Sequence, residues 1–287
     1  MTTPSPRPAS DPGPRPAKKP RPQAVLTVRS VTPLTPRLTR VVVGGDQIER
    51  LNPNQHADRY VKLLLPQPGS GLTPPYDMDA IREQTPELLP SRRTYTVRRW
   101  DHDAQELWLD VVIHAEPGRT GIASEWARTA TPGDQIAMSG AGGGYTPRTD
   151  ARQHLLIGDH AAVPAIGSAL DAMPADAVGQ VLIHLEHAED QLDLDAPDGM
   201  RIQWIIGDRE ELVQAVESLE LSQELIAERG LQVFCHLERG ATKRLRRSLI
   251  NERGLDREDV SISAYWALGR VEDQFQAEKR EAVGQIF

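Results

Sequence analysis

Ser91 to Trp100 reads SRRTYTVRRW, and the inner run Arg93-Thr94-Tyr95-Thr96-Val97-Arg98 decides how the rest of the chain is read. Thr, Tyr and Val suit a pleated surface, so the run predicts a β-strand on which alternate side chains share a face. Arg93, Tyr95 and Val97 then point one way, and Thr94, Thr96 and Arg98 the other. A guanidinium forks onto phosphate and a Tyr ring stacks on a flat heterocycle, so the strand suits a ligand that is both anionic and aromatic. The same ten residues also fit an ordinary exposed strand with charged ends.

Outward from this strand the first half reads as β-structure. Short strands are expected at Ala24–Ser30 and Leu38–Val43, separated by the turn-rich VTPLTPR, and at Tyr60–Leu65, which Pro66 ends. Residues 67–90 form a long Gly-, Pro- and acid-rich excursion, expected to lie over a ligand or to carry a short helix near Met78–Arg82. Leu107–His114, a helix over Ile122–Arg128 and a strand at Asp134–Met138 complete a small antiparallel barrel over residues 24–149. The second half changes rhythm. Apolar strands at His154–Gly158, Gln180–His187, Arg201–Gly207, Leu231–Glu238 and Ser261–Leu268 alternate with helical stretches near Ala165–Met173, Glu210–Glu228 and Ala241–Asn251. This alternation implies βαβ units and a mostly parallel sheet over residues 150–287, closed by a terminal helix.

Composition narrows the classes. The chain has 287 residues, 39% hydrophobic and 26% charged, as soluble two-domain proteins do. No apolar run approaches the roughly 20 residues that span a bilayer, so no membrane span is expected. A net charge of -8 argues against nucleic acid as a partner. Cys235 is the only cysteine, which excludes an intrachain disulfide and fits a cytoplasmic location; inside an apolar strand it reads as a core thiol. Residues 1–23, Pro-rich and basic, read as a disordered tail. His184 and His187 fall on opposite strand faces, so no metal site is expected. A monomer is expected.

The order of the motifs carries a resemblance. Pro36-Arg37-Leu38-Thr39-Arg40-Val41, the segment His56 to Leu63 (HADRYVKL), RTYTVR, the turn Gly158 to Ile166 (GDHAAVPAI), and the late run from Leu245-Arg246-Arg247 through Glu252-Arg253-Gly254-Leu255 to Tyr265-Trp266 together resemble the siderophore-interacting proteins. These belong to the ferredoxin-reductase-like flavoproteins and act as FAD-dependent ferric-siderophore reductases. The resemblance implies a two-domain fold: an antiparallel β-barrel FAD-binding domain, then an α/β domain with a mostly parallel sheet, as in ferredoxin-NADP reductase.

It also implies site residues. Arg93 would contact the FAD phosphate or ribityl region, Tyr95 would stack on the isoalloxazine and Thr96 would lie near flavin N5, with Thr94 and Val97 on the same strand. His114 and the helix start Gly121-Ile122-Ala123-Ser124 would meet the pyrophosphate; such a start has physical sense by itself, because its unpaired N–H groups and dipole favour an anion. Without the family, Gly121 reads as a turn residue and His114 as a strand-end histidine. Asp159 would face NADH or NADPH at the ends of the parallel strands, and Tyr265 and Trp266 would close over the flavin or pack at the sheet's end. Lys62 would face an anionic ferric siderophore.

Three positions depart from the family pattern. His160 and Ala161 stand where an acidic and a hydroxyl residue are usual, and Ala267 stands where a cation follows Tyr-Trp. They leave open a binding protein with little reductase activity, or a reductase fed by ferredoxin. Arg270 and Arg99 are candidate replacement cations, though each also reads as a surface charge. Gly140 to Tyr145 (GAGGGY) reads as a flexible connection, with Tyr145 a candidate adenine contact. Lys243, Arg244, Arg246 and Arg247 read either as a cofactor-phosphate contact or as a solvated helix face.

Overall fold

A computed structural model describes residues 22–51, 54–114 and 121–286. The expected Pro-rich tail lies outside them, apart from its last two residues. Seven strands form the first sheet: β1 Gln23–Thr35, β2 Leu38–Gly44, β3 Tyr60–Leu65, β4 Ser91–Thr96, β5 Arg99–Asp101, β6 Glu106–Val112 and β7 Gln135–Gly142. Their order is β4-β3-β7-β1-β2-β6-β5, antiparallel throughout. β4 and β5 stand at opposite ends of this order, yet only Val97 and Arg98 separate them in sequence. A link of two residues cannot cross an open sheet of this width, so the sheet must roll until its edges meet. The closure is visible in two bonds. Val97 N donates to Arg59 O (2.8 Å) at the β3 side, and Arg98 N donates to Trp108 O (2.9 Å) on β6. The stretch expected as one strand is therefore two, because the chain changes partners at Val97.

Inside the barrel pack Leu26, Val41, Leu63, Val97, Leu109 and Met138, all buried. β1 runs longer than expected, through VTPLTPR to a hairpin pairing Thr35 with Leu38. Pro33 is tolerated there because β7 pairs only Gln23–Thr27 of β1, leaving no partner for a Pro33 N–H on that side. Of the run Gly140 to Tyr145, expected as a flexible connection, Gly140 to Gly142 end β7 and only Gly143 to Tyr145 connect. Ala141 and Gly142 pair with Val61 and Tyr60, and a Cβ at Gly142 would lie 2.3 Å from the Tyr60 ring. Gly142 is required by close approach. The 67–90 excursion carries α1 Met78–Gln84, capped by Asp77, with Tyr76 packed on Leu64 and Ala137 outside the barrel.

The second sheet holds β8 Gln153–Asp159, β9 Val178–Leu185, β10 Gly199–Ile206, β11 Leu231–Glu238 and β12 Val260–Trp266 in the order β10-β9-β8-β11-β12, all parallel. Strand alternation divides two cores. Leu155, Ile157, Val233, Cys235 and Leu237 face one side with α4 Arg209–Ser218 and α6 Arg239–Arg246, while Leu156, Ile183 and Phe234 face α3 Val163–Asp171. The helix expected over Glu210–Glu228 is broken into α4 and α5 Gln223–Ala227. Arg253 takes the Glu217 and Leu219 carbonyls that end α4, and the Ser222 side chain caps Leu225 N, so each fragment has its own terminus satisfied. α2 Ile122–Thr129 belongs to the barrel, and α7 Glu272–Glu278 packs on β4.

The two parts are latched by Asp190. Its carboxylate accepts from Thr35 Oγ1 (2.9 Å), Arg37 N (3.0 Å) and Arg37 Nη1 (3.0 Å) of the β1–β2 hairpin. Burial alone would raise this carboxyl, but the Thr35 and Arg37 bonds outweigh it and hold it below the usual range. A depressed carboxylate contributes stability above its unfolded pKa and loses it as pH falls through the folded value. Asp190→Asn is expected to cost about 1–3 kcal/mol at neutral pH, measured by urea unfolding, with the difference from wild type shrinking below about pH 4.

Candidate functional site

The end of β4 meets the end of β12 at the junction of the two parts. Thr96 is buried, and its side chain lies beside the Tyr265 hydroxyl, where it works to lower that phenol. Burial, with the Asp58 and Asp159 carboxylates adding to it, pushes that phenol far up, so it stays protonated. Tyr265 lies edge-on to His236 (4.8 Å), which stacks on Phe234 (4.0 Å), which in turn meets Tyr145 (5.0 Å). Burial pushes His236 down to about 3, so it is neutral packing, held by Ser261 Oγ at 3.0 Å. Tyr145 is buried at 2% exposure and presents no open ring face for an adenine.

Trp266 is fixed from two sides. Its Nε1 donates to Asp159 Oδ2 (2.8 Å), and the Arg209 guanidinium sits 4.8 Å above the ring. Asp159 also accepts from Glu238 N (2.9 Å) and Ala161 N (3.1 Å), so its oxygens are engaged by the protein. His160 opens the short turn into α3; its Nε2 is buried without a partner among the described residues, and burial lowers its basicity. A Cβ at Gly158 would lie 2.6 Å from Ala162, so that glycine serves close strand–helix packing.

On the barrel side, Tyr95 is half-buried against the core, and Val97 is fully buried and offers only its backbone. Arg93 donates to Asp273 Oδ2 of α7 (3.1 Å). Gly121 caps α2 with no side-chain bond, and space beyond its Cα is open. Ile122 and Ala123 pack inward on the barrel core. Ser124 Oγ accepts from His114 N (3.1 Å) and donates to Val112 O (2.9 Å), binding helix to strand and leaving the His114 side chain exposed. An uncapped helix start, an open approach and a half-buried Tyr on the neighbouring strand fit the phosphates and ring of a flavin dinucleotide.

Beside β4 and beneath α7 lies a cavity of about 330 Å³. Lys62, Arg92 and Thr94 line it from the sheet, and Glu272, Lys279 and Arg280 from the helix side. Burial lowers the Lys279 ammonium; Glu272 opposes that shift and Lys62 adds to it. Among the described residues no group of His, Cys, Asp and Glu is arranged to hold a metal, and no helix is long and apolar enough to cross a membrane.

Comparison with known proteins decides the family. Residues 27–145 match the siderophore-interacting FAD-binding domain and residues 151–269 match the siderophore-interacting protein domain. An uncharacterized protein of Mycobacterium tuberculosis is 36% identical over 86% of this chain and 91% of its own length. The chain belongs to the siderophore-interacting protein family. Ferric vibriobactin reductase ViuB of Vibrio cholerae is 29% identical, covering 88% of this chain and 93% of that protein. The crystal structure of the siderophore-interacting protein SipS from Aeromonas hydrophila superposes with a TM-score of 0.75 at 29% identity, covering 91% of this chain and 97% of that one. A ferredoxin-NADP+ reductase from Plasmodium falciparum shares the fold, with a TM-score of 0.61 at 10% identity over 85% of this chain and 96% of that one.

Against this family, the departure at Ala267 has a structural reason. Ala267 is buried and, with Ala264, seats the fully buried Phe275 of α7. Its side chain faces the helix seat, so the position has no surface for a cation. Neither suggested replacement lines the cavity: Arg270 pairs with Glu278 (2.6 Å), and Arg99 pairs with Asp101 (3.2 Å) over Trp108. Lys279 and Arg280 do line it, and sequence reading passed over them as part of a polar tail. The available signal was Phe275 followed by Lys279 at helical spacing, which puts a cation beside the tail's apolar anchor. Of the basic helix, Arg244 is taken up by Glu210 and Glu217, and Lys243 by the Val283 carbonyl. Ala267→Arg is expected to unseat α7, costing about 1–3 kcal/mol in urea unfolding and increasing proteolysis after Val271. Phe275→Ala should do the same at about 3–5 kcal/mol.

Proposed function

We propose that this siderophore-interacting protein is an FAD-dependent oxidoreductase that reduces ferric siderophores, with NADH or NADPH as electron donor. The observation that carries the reading is a single junction. The end of the RTYT strand and the Tyr265-Trp266 pair meet there, and β4 runs from it along a cavity lined by four cations against two carboxylates, Glu272 and Asp273. Bound flavin supplies the conversion of a two-electron hydride donor into one-electron steps toward iron.

The chain's residues do the positioning. The α2 amides and Gly121, with Arg93 and His114, hold the dinucleotide; Tyr95 offers the ring on which the flavin stacks, and Thr94, Thr96 and the Val97 backbone border it along the strand. Ile122, Ala123 and Ser124 fix the direction of the helix start. Tyr265 and Trp266 cover the opposite side, the first beside Thr96 and the second held by Asp159. Lys62, Arg92, Lys279 and Arg280 concentrate an anionic iron chelate beside β4 although the chain as a whole is acidic. No residue is needed as a general acid or base. Iron enters as the ferric chelate, takes up one electron, and is released from the siderophore as the ferrous ion.

One observation favours a second reading in which reduced ferredoxin feeds the flavin. Asp159 is saturated by protein donors and His160 is partly buried, so the turn offers a nicotinamide donor little beyond backbone. Anaerobic mixing of FAD-loaded protein with NADH and then NADPH separates the two. Bleaching of the flavin bands by either supports the first reading, and bands that persist with both but bleach with reduced ferredoxin support the second. For the substrate, Lys62→Gln and Lys279→Gln are each expected to raise KM for an anionic ferric siderophore about three- to tenfold with kcat little changed, and added salt should weaken the wild type similarly.

A further inference from the structure

A second cavity, of about 380 Å³, opens on the barrel and shares no lining residue with the one beneath α7. Its walls are Asn54, Gln55, Arg59, Trp100 and His102. Two of these residues bring buried N–H groups that have no partner among the described residues. Trp100 is only 7% exposed, and among the described residues neither its Nε1 nor the buried Nε of Arg59 has a partner. Buried donors of this kind are normally paired with protein, ordered water or a ligand.

The charge is also unbalanced. Arg59 Nη1 donates to the Asn54 carbonyl (3.2 Å), but among the described residues no carboxylate pairs with the guanidinium. The adjacent Asp58 is turned away, its Oδ1 accepting from Gly144 N (2.8 Å) and Tyr145 N (2.8 Å). Burial lowers Arg59 with no acidic neighbour to oppose it. His102 lies stacked on Trp100 at 5.5 Å and covers one face of the indole. A water molecule accepts two donors but leaves the cation uncompensated. An oxyanion does both.

We propose that this cavity binds an oxyanion of the carboxylate or phosphate type, held by the Arg59 guanidinium and the Trp100 indole N–H, with Gln55 in its wall; the Asn54 amide is engaged by Gly142 O and His56 N. The site is separate from the flavin cleft but not isolated from it. Arg59 O accepts from Val97 N (2.8 Å), one residue after Thr96, so an occupant braces the point where the chain leaves the flavin-facing strand.

Isothermal titration of the FAD-saturated full chain with inorganic phosphate, and separately with citrate, tests the proposal without reference to electron transfer. One saturable site is expected with at least one anion; binding of phosphate alone assigns a phosphate ligand, and of citrate alone a carboxylate ligand. Arg59→Gln should weaken it about tenfold or more, and Trp100→Phe, which keeps the ring and removes only the N–H, about three- to tenfold. Thermal melts identify any variant that fails to fold, in which case Arg59→Lys, which keeps the charge but loses the Nε donor, replaces Arg59→Gln. No saturable binding by the wild type, or affinities unchanged in the folded variants, would overturn the proposal.

Discussion

The buried carboxylate of Asp159 is the constraint on which the site depends. It stands at the C-terminal end of β8 and accepts N–H groups from Ala161 on its own turn, Glu238 at the end of β11 and Trp266 at the end of β12. Three adjacent strand ends are thereby held to one point. Burial pushes the carboxyl upward, and the three donors work against that push. Glu238, drawn in by its backbone, uses its own side chain to cap α6 and to take Leu268 N (3.1 Å), so the constraint passes from the sheet into the segment leading to α7. Trp266 is immobilised, and with it Tyr265, whose hydroxyl reaches across to Thr96.

The barrel meets this fixed edge through an equally local device. Because only Val97 and Arg98 connect opposite ends of the strand order, barrel closure and the presentation of Tyr95 and Thr96 are one event. Ser168 of α3 donates to the Arg98 carbonyl (2.7 Å), so the closing residues also contact the α/β part. α7 then covers β4, anchored by Phe275 in its alanine seat and by Glu278 between Arg239 and Arg270. The cations gathered beneath it act locally, since charges farther apart than about 10 Å are screened in ordinary salt.

Much of this was legible in the sequence, and what was missed has physical reasons. The change from closely spaced strands to strand–helix alternation marked the two sheets, because burial on one face and burial on both leave different periodicities. The RTYT strand and the Gly121 helix start were found because Thr, Tyr and Gly carry strong local preferences. The break at Val97 was not, since it arises from a change of partner and Val is at home in either strand. The Gly140 run misled for a similar reason: glycine signals freedom in a loop and close approach in a sheet, and only the Tyr60 ring distinguishes them. The break after α4 is set by Arg253, far away in sequence, and Ala267 looked like a lost substrate contact because Phe275, its reason, lies across a turn.

The account turns on whether a flavin seats at the end of β4, stacked on Tyr95 beside Thr96, and is covered by Tyr265. Titration of flavin-free protein with FAD, followed by flavin fluorescence and visible absorption in wild type and Tyr95→Ala, measures this directly. The account predicts saturable uptake of one FAD with strong quenching and altered visible bands, and affinity at least about tenfold weaker in the variant, as loss of a stacked aromatic implies. Absence of uptake by the wild type, or equal affinity in a folded Tyr95→Ala, would contradict it.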